Sequence, residues 1–212
     1  MKYLFIGILF ITSSLFAQSD KKSEDILNKM STEIKGLSSF YIEFTMNVKN
    51  PATGENSNQK GFGYVKGDKY FASLGQNTLV SNAVKNWTIV KEEKVTYQSD
   101  VDLNDEEAMH PKKLMTIWES GFKSKYNKIT KLDNKNVHQI DLFPVNPGKV
   151  NYHTITLYVD SDSNELYQAI MKTKDGSTMT YTINTFDKNK SVLDSKFVYN
   201  PQNYPGYQLI RD

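Results

Sequence analysis

From Ser39 to Lys49 apolar and polar side chains alternate along the chain. Phe40, Ile42, Phe44, Met46 and Val48 share one face of an extended segment, and Tyr41, Glu43, Thr45, Asn47 and Lys49 share the other. A period of two is the mark of a strand with one side covered. Upstream, Ser23 to Lys35 carries Ile26, Leu27, Met30 and Ile34 on a helical stripe. Ser23 is placed to cap it, Glu24 and Asp25 suit the positive end of the dipole, and Gly36 suits the left-handed stop. The apolar face of the strand that follows is the expected partner of this stripe.

Downstream, Asn50 to Lys60 is polar, contains Pro51 and Gly54, and is expected to be a loop. Short extended runs then recur at Gly61–Lys66, Lys69–Leu74, Thr78–Ser81, Trp87–Val90 and Lys94–Ser99, separated by turn residues, as in an antiparallel meander. Between Asp100 and Lys125 the rhythm breaks. An acidic loop (Asp102, Asp105, Glu106, Glu107) leads to Pro111 and an apolar stripe of Leu114, Met115, Ile117, Trp118 and Phe122, which predicts a short helix held by packing. Strands resume at Tyr126–Leu132, Asn136–Phe143, Thr154–Asp160, Leu166–Thr173 and Thr178–Phe186, and Phe197–Tyr199 is expected to close the sheet. About eleven strands and two helices predict one large curved sheet with helices over its concave face.

The first residues read differently. Lys2, the apolar run Tyr3–Phe16 and the small residue Ala17 before Gln18 have the form of a secretory signal peptide, leaving a single domain over 18–212. Its removal takes away one charge, Lys2, so the balance stays near neutral, against a nucleic-acid partner. The 212-residue chain has no cysteine, which excludes disulfides, thiolate metal sites and cysteine nucleophiles, and its 13 tyrosines and 11 phenylalanines make the core aromatic.

Polar chemistry is sparse. His110, His138 and His153 do not form a metal triad, and His138 shares an apolar face with Ile140 and Leu142. Asp160, Asp162 and Asn164 mimic the start of a calcium loop, but Glu165 replaces its glycine and Met171 its final acid, so a polar hairpin turn is expected. No nucleophile elbow, phosphate loop or zinc helix is present, and no cofactor is expected. A one-sided aromatic sheet with two striped helices suits either an ordinary filled core or a cavity for acyl chains, in which each buried methylene contributes about 0.8 kcal/mol. A glycan-directed hydrolase using the acids of 102–107 is a lesser alternative.

The order of features resembles the outer-membrane lipoprotein carrier family, the LolA-like periplasmic chaperones. The resemblance is carried by Leu37-Ser38-Ser39-Phe40 with Phe44-Thr45, Gly61-Phe62-Gly63-Tyr64 with Tyr70-Phe71, Leu79-Val80-Ser81 followed by Trp87, and Asp194–Phe197 with Pro201 and Pro205-Gly206. It implies an unclosed antiparallel β-barrel with a helical lid. It further implies a periplasmic, non-enzymatic, monomeric carrier that takes acylated lipoprotein or lipid cargo from an inner-membrane lipoprotein-releasing transporter to an outer-membrane acceptor. A lipid-sensing module of the same fold is the alternative role. The cargo wall would comprise Phe40, Ile42, Phe44, Met46, Phe62, Tyr64 and Trp87, with Leu114 and Trp118 in the lid and Ile140 and Leu142 on the opposing strands. Where the family has an arginine-proline pair that latches the lid, this chain has Gly67-Asp68, and Asn82-Ala83 stands for its Asp-Gly. The sole arginine is Arg211, so the resemblance implies a looser lid or a different hydrophobic cargo.

Overall fold

The computed structural model describes residues 11–101 and 115–211. Twelve strands form one sheet that does not close on itself, an unclosed β-barrel with a helix laid along its inner face. The strands are β1 (Ser39–Asn50), β2 (Glu55–Lys66), β3 (Lys69–Leu74), β4 (Asn77–Ser81), β5 (Lys85–Val90), β6 (Val95–Asp100), β7 (Phe122–Leu132), β8 (Lys135–Pro144), β9 (Tyr152–Asp160), β10 (Leu166–Thr173), β11 (Thr178–Lys188) and β12 (Gln208–Arg211). Two meanders, β1–β6 and β7–β11, join through the antiparallel β1–β11 pair, while β12 adds in parallel beside β6. The edges are therefore β7 and β12.

Turn chemistry sets the register. Asp133 and Asn134 both take positive φ, 47° and 67°, the two-residue turn whose twist matches its strands, so Leu132 faces Lys135. Gly67, at φ 57°, does the same between β2 and β3 and places Lys66 opposite Lys69.

The helix α1 runs from Ile11 to Gly36, through the expected cleavage point at Ala17-Gln18. Ser23 is therefore not its cap. It lies inside the helix, wholly buried, donating to the Asp20 carbonyl at 2.7 Å and sharing a 2.7 Å hydrogen bond with Ser124 of β7. The stripe Ile26, Leu27, Met30, Ile34 packs on Ile140, Leu142, Ile155, Leu157 and Val159 of β8 and β9. That corrects the expectation that it would cover β1: the helix crosses the β7–β9 half instead, because those strands present the larger unbroken branched aliphatic surface.

Three further expectations change. The stretch Asn50–Lys60 is mostly strand, since β1 and β2 pair along twelve residues each and only 51–54 turn. Its polarity reflects solvent on both faces of a long hairpin end. Phe197–Tyr199 does not close the sheet. Asp194–Phe197 and Pro201–Asn203 are 3₁₀ turns, and the last strand is β12. Of the expected lid helix, the described part is one 3₁₀ turn, Ile117–Glu119, and Phe122 already begins β7 after Gly121 at φ 79°. Residues 1–10, the acidic loop Asp102–Glu107, His110, Pro111 and Leu114 lie outside the described residues.

Candidate binding face

Facing residues in adjacent antiparallel strands project to the same side. Two rows can thus be followed across the β1–β6 meander. The inner row, on the helix side, runs Phe40, Val65, Tyr70, Ser81, Asn86, Ser99, with Ile42, Gly63, Ala72, Leu79, Thr88 and Tyr97 beside it. The outer row runs Tyr41, Tyr64, Phe71, Val80, Trp87, Gln98.

Phe40, Ile42, Phe44 and Met46 lie on the inner face, as the alternation requires. Phe40 and Ile42 are buried with Val65 against Leu37, Tyr70, Met115, Ile183 and Phe186. Phe44 lies over Gly61 so closely that a Cβ on that glycine would come within 2.3 Å of the ring. The glycines of β2 make room there for the side chains of β1. Ile140 and Leu142 are wholly buried beneath α1. Trp118 is buried as well, and its indole N–H donates to the Leu27 carbonyl (3.2 Å) and to Ser31 Oγ (2.8 Å), both on the helix. Lys35–Glu119, at 2.6 Å, closes the same junction and holds the Glu119 carboxyl below the usual carboxylate range.

Phe62, Tyr64 and Trp87 are on the outer face and do not share a wall with Phe40. Phe62 and Tyr64 meet Tyr41 and Phe71 in an external aromatic cluster. Trp87 is buried with Val80 and Ile89 under Tyr199, Tyr204, Tyr207 and Leu209, and its ring stacks on Tyr199 at 6.4 Å. The reason is the C-terminal segment, which folds back over the outside of the meander. Lys196 sits 3.9 Å above the Phe71 ring, and Lys66 and Lys69 both grip Asp194, at 2.8 and 2.9 Å. The hairpin carrying Gly67-Asp68 thus fastens the tail.

Those two ammonium groups hold the Asp194 carboxyl down at about 2. Its folded pKa lies below that of a free carboxylate, so this tether is fully present above about pH 4 and is lost as pH falls through the folded value. Asp194→Asn at neutral pH should reproduce the acid behaviour. Hydrogen exchange at Phe197–Tyr199 is expected to quicken while that of β8 and β9 stays unchanged.

On the inner face the two halves differ. Between α1 and β10–β11 a pocket lined by Met30, Ile34, Leu166, Ile183 and Phe186 has about 10 Å³ of free space, room for no more than a single water. At its rim Lys188 joins Glu33 of the helix and Glu165 of the β9–β10 turn (2.6 Å to the latter), and these carboxylates raise its pKa. This half is a filled core. Across β3–β6, by contrast, Ala72, Leu74, Leu79, Thr88 and Val90 are only half-buried and Tyr97 is 42% exposed, although the outer faces of the same strands bury Val80, Trp87, Ile89 and Thr96. Tyr70 stands at the boundary, its hydroxyl pKa raised by burial.

Among the described residues no cluster of histidine and carboxylate residues is placed to hold a metal ion. Asp160 accepts the backbone N–H groups of Asp162 and Ser163 and pairs with Lys135 at 3.0 Å, the polar turn expected in place of a calcium loop. His138 shares a 3.2 Å hydrogen bond with the Tyr126 hydroxyl, and burial together with the charge of Lys22 lowers its pKa.

Among solved structures, an uncharacterized conserved protein from Thermus thermophilus superposes with a TM-score of 0.60 at 8% identity, over 90% of this chain and 99% of that one. The fold is shared. A LolA superfamily protein from Nitrosomonas europaea matches at TM-score 0.43 and 12% identity, over 83% and 97% of the two chains. The lipoprotein LppX of Mycobacterium tuberculosis matches at 0.42 and 13%, over 80% and 98%. No family model matches this chain, and no curated protein does so. Among the described residues no helix is long and apolar enough to cross a membrane.

Proposed function

We propose that this chain is a periplasmic binding protein that shelters acyl chains of lipoproteins or related lipids on the inner face of β3–β6, and carries them between membranes. The observation that carries this reading is the contrast within one meander. On the outer face of β4–β6 the chain's own C-terminal segment buries Val80, Trp87 and Ile89, while the inner face of β3–β6 keeps Ala72, Leu74, Leu79, Val90 and Tyr97 only partly covered. An acyl chain laid there gains about 0.8 kcal/mol for each methylene it buries, without any directional polar partner. The sequence resemblance to lipoprotein carriers supports the cargo class, and an inner-membrane donor and an outer-membrane acceptor follow from it. Native mass spectrometry of the protein taken from its own periplasm is expected to show bound acylated species. Consistently empty protein that also fails to release lipoprotein from spheroplasts would overturn the reading.

A further inference from the structure

We infer that the β7 edge is a docking face for the surface of an anionic phospholipid bilayer. Strand β7 carries Lys123, Lys125, Lys128 and Lys131, all exposed, and no acid. None has a carboxylate within salt-bridge distance among the described residues, whereas Lys35, Lys66, Lys69, Lys85, Lys135, Lys188 and Lys190 all do. An almost neutral chain thus sets a row of uncompensated positive charge along one edge. The pairing with β8 sets three of these lysines on the outer face, opposite Phe143, Asp141 and Gln139. Asp141 is the one acid of that strip, and its oxygens are engaged by Asn127 and Thr156, each at 2.7 Å.

Lysines on an edge strand also guard against strand-to-strand pairing. A guard, however, has no use for exposed apolar side chains, and here they accompany the charge. Phe143, opposite Lys123, is 40% exposed, and Val145 is 51% exposed and tied to the start of β7 by its N–H to the Gly121 carbonyl. Cations interleaved with partly exposed aromatic and branched residues match a surface whose outer layer is anionic and whose next layer is apolar. A stacked acidic peptide would satisfy the lysines and leave Phe143 and Val145 in water.

This face adds to the acyl-chain reading and stands apart from it, because the empty protein should bind vesicles whether or not it takes cargo. The test is flotation of the full chain with phosphatidylglycerol–phosphatidylcholine vesicles against pure phosphatidylcholine vesicles. We expect binding to the first only, weakened by salt. It should weaken about fivefold per lysine removed, hence about a hundredfold in K123Q/K125Q/K128Q, with the melting temperature unchanged. F143S should bind more weakly at every salt concentration. The control K49Q/K60Q/K172Q, which removes exposed lysines elsewhere, should bind as the parent does. Absence of flotation, equal loss in the control, or equal binding of soluble polyglutamate would each overturn the docking face.

Discussion

Trp118→Ala is expected to lower the stability of the chain by about 3–5 kcal/mol, the cost of emptying a large buried aromatic site. The indole lies in the core shared by α1 and β8–β9 and is the main link between the 117–119 turn and the helix. Its N–H serves Leu27 and Ser31 together, and Ser31 is itself buried. Trp118→Phe should therefore separate two contributions. Most of the apolar fill remains, the buried acceptors lose their donor, and the loss should be about 1–2 kcal/mol. Urea denaturation of the three proteins decides the point. Equal stability of parent and alanine variant would mean that this junction is not part of the cooperative core.

Leu79→Glu carries the largest expected effect on binding. It places a carboxylate in the middle of the half-covered inner row, between Ala72 and Thr88, where acyl contact would strip its water without supplying a partner. Affinity for a fluorescent fatty-acyl probe should fall at least about a hundredfold, with little loss of stability because Leu79 is only half-buried. Tyr64→Ser is the informative contrast. The resemblance to the carrier family implies Tyr64 on the cargo wall, whereas the pairing with Tyr41 and Phe71 puts it outside. Its binding should match the parent, and a loss equal to that of Leu79→Glu would refute the assignment of faces.

The sequence patterns show where legibility ends. Local signals are reliable when a strand or helix contains its own evidence. The alternation of Phe40–Val48, the helical stripe Ile26–Ile34 and the turns Gly67-Asp68, Asp133-Asn134 and Asp175-Gly176 all reappear in the fold. What a face packs against is not local. β2 reads as Gly-Phe-Gly-Tyr, and the resemblance makes its bulky residues a cavity wall; in the fold they meet Tyr41 and Phe71 on the outside, where Lys196 of the C-terminal segment, distant in sequence, lies over the Tyr64 ring. The inner face needs Gly61 there so that Phe44 can lie over it. The helix likewise packs on β8 and β9, far along the chain, in preference to the adjacent β1. The inner row Ala72, Leu79, Tyr97 carries no distinctive motif, and only the pairing of β3 through β6 brings it together. Counting outward from the Gly67-Asp68 turn pairs Val65 with Tyr70 and Tyr64 with Phe71. It leaves open which pair faces the helix.

The departure at Gly67-Asp68 acquires a physical meaning from the same topology. Flanked by Lys66 and Lys69, this turn ties down the C-terminal segment on the outside through Asp194. Helix α1 is secured on the inside by Lys188 with Glu33 and Glu165, and by Trp118. Two fastenings on opposite faces leave the apolar residues on the inner surface of β3–β6 only partly covered by the described chain.

The most direct test of this account is photoaffinity labelling of the full chain with a fatty acid carrying a diazirine in its acyl chain, followed by mass-spectrometric mapping of the adducts. Labelling on Ala72, Leu79, Val90 and Tyr97, competed away by unmodified fatty acid, is the predicted result. Labelling confined to Phe62, Tyr64 and the surroundings of Trp87, or adducts that competitor does not displace, would contradict it.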